Sequence, residues 1–208
     1  MENALNKPAT GPRTLLEFAG VASRPNRLSE SVLVIVDAQR EFTGGNLKLP
    51  DIAPALVEAR KLLLRARSLG TPVVHVWHVN KPGAALFDPA TEFVAPIESL
   101  QPEAGEIVVR KGFANAFYDS ALAEELNKTG RRRLVVVGYM THLAVDATVR
   151  SAVEHGFQTT VVGAACATRA LADVDGETIP AAAIQRASLA MLRDRFACVI
   201  GASTELPD

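Results

Sequence analysis

Three positions in the chain carry the residue types and spacing of acid–base and covalent chemistry, and one of them lacks its reacting atom. Asp37 directly follows the apolar run SVLVIV, Lys111 follows EIVVR, and Gly138–Ala152 reads GYMTHLAVDATVRSA. In that last stretch a glycine ends an apolar run, polar residues follow, and a helix begins with Ala144 in its first turn. This is the layout of a strand-to-helix elbow that presents a nucleophile. A thiol there would meet the positive end of the helix dipole, which lowers its pKa. Unpaired backbone N–H groups around it could hold a developing oxyanion. A carboxylate beside a partly buried ammonium could take the thiol's proton. Alanine has no thiol. Singly, an aspartate after a strand is most often a cap or turn residue, and a lysine at a strand end is usually only solvated.

What turns three ordinary residues into a candidate site is the element pattern around them. Six short β-branched runs, SVLVIVD, TPVVHVWHV, EIVVRK, RLVVVGY, FQTTVVGAA and ACVIGA, read as strands buried on both faces. Helical patterns lie between most of them. Ile52, Ala55, Leu56, Ala59, Leu62, Leu63, Ala66 and Leu69 form one stripe that Gly70 stops. Ser120–Leu126, Leu143–His155 and Ala181–Phe196 are the others, the last with Pro180 suited to its first turn. Strands alternating with helices predict an α/β fold, a three-layer α-β-α sandwich of Rossmann-like type around a mainly parallel six-stranded sheet. Ligands of such sheets bind at the carboxyl ends of the strands. Asp37, Lys111 and the elbow would then share one rim.

The 208 residues, 48% hydrophobic, suffice for one domain with a sizeable core. Residues 1–28, with three prolines and little periodicity, read as an extended arm, and 29–208 as the domain. Residues 80–105, with four prolines, read as a long loop over the sheet edge. A net charge of −1 points to no nucleic acid or anionic membrane as partner. The apolar runs are too short to span a bilayer, and without a signal-peptide pattern the expected compartment is cytoplasmic. Cys166 and Cys198 make no disulfide framework and read as structural cysteines.

The motifs VIVDAQREF, VVRKGFANAF and GYMTHLAVDATVRSAVEHGF occur in this order at the predicted strand ends. Together they resemble the isochorismatase-like cysteine-hydrolase superfamily, which includes nicotinamidases and N-carbamoylsarcosine amidase, over about Ser31–Ile200. The resemblance implies a triad of Asp37, Lys111 and a nucleophile at 144, where the family's cysteine is replaced by alanine. It also implies a cis peptide between Tyr139 and Met140, with the N–H groups of Met140 and Ala144 as the oxyanion hole. The implied reaction is hydrolysis of a carboxamide or ureide to an acid and ammonia through a thioester. A homodimer or homotetramer is the implied assembly, with a small-molecule amide or ureide as substrate and no cofactor.

The alanine leaves three readings open. The chain is a cysteine amidohydrolase inactivated by replacement of its thiol, or an isochorismatase-type vinyl ether hydrolase with Asp37 as general acid, or a binding protein without catalysis. The second would want arginines for a dicarboxylate substrate, and only Arg40, Arg110 and Arg169 lie near the motifs. The Asp-x-His metal motif of nicotinamidases is absent, and His75 and His78 fall on opposite faces of a strand, so no metal is expected. One of these histidines reads as core and one as rim. Gln39, Phe42, Phe117 and His142 are the residues expected to contact substrate, Gln39 because it lies two residues beyond Asp37 and should face the same side.

Overall fold

The computed structural model describes residues 11–50 and 52–208. Six strands form one sheet in the order β3-β2-β1-β4-β5-β8: β1 Val32–Val36, β2 Val73–His78, β3 Ile107–Lys111, β4 Arg133–Tyr139, β5 Gln158–Ala167 and β8 Cys198–Ile200. Every pairing in it is parallel. A separate two-stranded pair, β6 Leu171–Ala172 and β7 Thr178–Ile179, is antiparallel and comes from a stretch without strand periodicity. The helices are α1 Leu15–Phe18, α2 Ile52–Ser68, α3 Leu122–Lys128, α4 Asp146–Glu154 and α5 Ala181–Arg195.

The strands are apolar on both faces because helices cover both. Leu33 and Ile35 pack into one core with Ala59, Leu62 and Leu63 of α2, while Val32, Val34 and Val36 pack into a second with Val145 and Val149 beside and within α4. Of the stripe read for the 52–69 helix, Ile52, Ala55, Ala59, Leu62, Leu63 and Ala66 form the buried face of α2, whereas Leu56 is half-buried and Leu69, past the helix end, is exposed. Of the arm, residues 1–10 lie outside the described residues. The part that follows carries α1, capped by Thr14 and Glu17, with Leu15 N donating to Asp194 of α5. Asn26 then ties the chain to the sheet, its side chain donating to the carbonyls of Leu134 and Gln158. No helix among the described residues is long and apolar enough to cross a membrane.

β1 and β4 are central and adjacent, and Gly138 is paired with Val36 at the end of their ladder. Gly138 has φ +133°, and a Cβ built there would sit 2.0 Å from the Val36 carbonyl oxygen. Only glycine fits, because both backbone conformation and space forbid a side chain. Gly138→Ala is therefore expected to cost about 4 kcal/mol or more, read by denaturant unfolding, and to leave little folded protein. A loss under about 1 kcal/mol would contradict this packing.

Candidate active site

At the carboxyl end of β1 the chain turns sharply. Asp37 has φ +52°, held by its N–H donating to the Val76 carbonyl (2.8 Å) and its carbonyl accepting from Gln39 N–H (2.8 Å). The turn sends the carboxylate across the end of β2 toward β3. There Lys111 Nζ donates to Asp37 Oδ2 at 2.8 Å, with both side chains buried. Lys111 also donates to the Phe113 carbonyl (2.9 Å) and meets His78 Nδ1 at 3.3 Å. Asp37 Oδ1 has no hydrogen-bond partner among the described residues. Burial, partly opposed by Lys111, pushes the Asp37 carboxyl up from its ordinary 3.8 to about 6.

The elbow lies opposite. Past Gly138 the Tyr139–Met140 peptide is cis, in agreement with the resemblance. Thr141–Val145 then forms a wide π turn before α4, a local geometry frequent at functional sites. Thr141 Oγ1 donates to the Ala167 carbonyl (3.1 Å), which fixes the turn to β5. Ala144, 4% exposed, faces a cavity of about 200 Å³ that Asp37, Lys111 and Met140 also line. The three strand ends thus converge on one space.

Phe42 joins them on the cavity wall. The other three expected contacts do not. Gln39 is fully buried, and its amide is consumed by the backbone: it donates to the carbonyls of His78 and Val94 and accepts from His78 N–H, each at 2.8 Å. The left-handed turn at Asp37 breaks strand alternation, so two residues on is not the same side. Phe117 is also corrected: it stacks on His155 (4.5 Å) beyond the carboxyl end of α4 and packs near Phe157, whereas Ala144 precedes the amino end. His142 turns away to hydrogen-bond Thr168, and its neighbour Leu143 takes the place on the wall.

The remaining wall comes from residues the motifs did not mark. His78 is the rim histidine, hydrogen-bonded to Asn80 (3.0 Å), whereas His75 is the core one, paired with Glu106 (2.9 Å) on the other face. Burial and the Lys111 charge lower the pKa of His78, so it stays neutral at neutral pH. Leu86 and Phe87 fold down from the proline-rich segment, which covers the site and not merely the sheet edge. Glu41 holds two walls, accepting from Phe87 N–H (3.1 Å) and Leu47 N–H (3.3 Å). Asp37, Gln39 and Glu41 are all polar yet buried. Cys166 lies within β5, opposite Gly138. Its thiol is pushed up to about 12 by burial and does not line the cavity.

Residues 31–204 match the isochorismatase domain. The chain belongs to the isochorismatase family. A crystal structure of an isochorismatase from Pseudomonas putida KT2440 superposes with a TM-score of 0.90 at 40% identity, over 94% of this chain and all of that one. The secreted isochorismatase effector Isc1 of Verticillium dahliae is 35% identical over 87% of this chain and 93% of its own length. Maleamate amidohydrolase of Pseudomonas putida is 32% identical over 62% and 68%. The isochorismatase-family chain is therefore a member of a hydrolase family that includes amidohydrolases.

The Asp37 carboxyl also makes a stability prediction. A folded-state pKa near 6 against 3.8 unfolded gives a contribution that is full below about pH 4 and lost as pH rises through 6. The size is about 3 kcal/mol. Taken as a difference from the Asp37→Asn chain, the unfolding free energy of the parent chain should fall as pH rises from 4 to 6. Identical slopes in the two chains would contradict the raised pKa.

Proposed function

We propose that this site is built for hydrolysis of a small carboxamide or ureide by a thiol at position 144, and that the chain with Ala144 binds such a compound without turning it over. The observation that carries this reading is the shared cavity: Ala144, Asp37 and Lys111 line one space, with Lys111 paired to Asp37 Oδ2 and Asp37 Oδ1 without a hydrogen-bond partner among the described residues. Removing only a sulfur atom from a cysteine leaves an alanine and this geometry. The kinship with an enzyme named maleamate amidohydrolase supports amide chemistry.

With cysteine at 144, Asp37 Oδ1 takes the thiol proton and the thiolate attacks the amide carbonyl carbon. The oxygen gains the electron pair and is held by the N–H groups of Met140 and residue 144. The C–N bond then breaks, Asp37 returns the proton to the leaving nitrogen, and ammonia departs. Water, deprotonated by Asp37, attacks the thioester; the acid leaves and the thiol reforms. Lys111 stays protonated throughout and holds the Asp37 carboxylate in place. It acts on the charge of its neighbour.

One observation favours a second reading. A carboxyl with a pKa of about 6 is partly protonated near neutral pH, which suits a general acid cleaving a vinyl ether with no thiol. The cavity argues against the dicarboxylate that such a reaction implies, since no arginine is among its lining residues. Arg40 is instead paired with Glu92 at 3.1 Å.

Ala144→Cys is expected to release ammonia from primary amides where the parent chain releases none. Adding Asp37→Asn should lower that rate by about 10²–10⁴-fold. Silence of Ala144→Cys across amides and ureides would overturn the proposal, and turnover of isochorismate by the parent chain would establish the second reading.

A further inference from the structure

The polar groups facing the cavity are nearly all spent on one another. Lys111 has three N–H bonds, and Asp37 Oδ2, the Phe113 carbonyl and His78 Nδ1 take all three. With Nδ1 accepting, neutral His78 carries its proton on Nε2 and donates it to Asn80 Oδ1 (3.0 Å). Asn80 Nδ2 donates in turn to the Leu86 carbonyl (3.0 Å), which leaves one amide N–H. The hydrogen-bond capacity left on these side chains is one neutral donor and the lone carboxylate oxygen of Asp37.

The rest of the wall is apolar, with Phe42, Phe87, Leu47, Leu86 and Leu143 around a space of about 200 Å³. That is below the ~300–1,000 Å³ common for drug-sized ligands. A carboxylate entering it would lose its water and find no cation with an unused N–H, since Lys111 is saturated and His78 uncharged. The Asp37 carboxylate, whose Oδ1 has no hydrogen-bond partner among the described residues, bears negative charge and repels it. Backbone N–H groups at the elbow do not relieve this, because the reacting carbonyl oxygen occupies them.

We propose that the site selects small uncharged amides with an apolar acyl substituent and excludes amides that carry a second, ionised carboxyl group. This rests on the amidohydrolase reading for turnover, but the selection itself is a property of the cavity and is open to test by binding alone. It sets this chain apart from a relative named for maleamate, whose substrate carries a carboxylate.

The closing experiment pairs compounds of similar size: pentanamide against succinamate, and benzamide against maleamate. Binding to the Ala144 chain is read by saturation-transfer NMR, and kcat/KM for ammonia release by Ala144→Cys. The neutral member of each pair should bind more tightly and turn over more than about tenfold faster. Equal or better binding or turnover of succinamate and maleamate would overturn the selection while leaving the amidohydrolase reading intact. Selective binding of the neutral amides with no ammonia from Ala144→Cys would support the selection and overturn that reading. Binding of neither member of either pair would overturn the selection.

Discussion

The buried contact between Lys111 and Asp37 is the constraint around which the site is arranged. Two charges at 2.8 Å, both nearly inaccessible to water, have given up their hydration and depend on each other. Leaving one of such a pair unmatched costs about 3–5 kcal/mol. Lys111 finds its other partners in the Phe113 carbonyl and His78, and so fixes the chain just past β3 and the end of β2. Asp37 finds only one. Its second oxygen has no hydrogen-bond partner among the described residues, and burial raises the proton affinity of the carboxyl to where exchange near neutral pH is feasible.

The parallel sheet explains why these residues can meet at all. Asp37 and Lys111 lie 74 positions apart in sequence, yet β1 and β3 flank β2 with their carboxyl ends aligned. Gly138 lets β4 lie against β1 at the point where the elbow begins, which sets Ala144 across from the carboxylate. Glu41 and Gln39 then secure the roof, one through Phe87 and Leu47, the other through the backbone of His78 and Val94. Buried polar residues just after the first strand therefore serve mainly to position the walls.

The sheet, its helices and the three strand ends were legible because each follows from local periodicity and from the rule that parallel sheets bind ligands at their carboxyl ends. The stripe of α2 and the motif aspartate and lysine needed nothing more. Gln39, Phe117 and His142 do not line the cavity, because proximity in sequence is not proximity in space. The positive φ of Asp37 turns Gln39 inward, α4 carries Phe117's partner away from the site, and the π turn directs Leu143 to the wall in place of His142. The roof residues Leu86 and Phe87 belong to a segment with no period to read, and only long-range contacts such as Glu41 to Phe87 position them.

If Asp37, held by Lys111, serves as the base for a thiol at position 144, that thiol must ionise below its ordinary pKa. The most direct measurement is the pH dependence of iodoacetamide alkylation at that position in Ala144→Cys, with the parent chain accounting for Cys166 and Cys198. Reaction as a thiolate is expected well below the ordinary thiol pKa of about 8.5, with loss of that reactivity at neutral pH when Asp37→Asn is added. A thiol that titrates at or above its ordinary value, unchanged by Asp37→Asn, would contradict it.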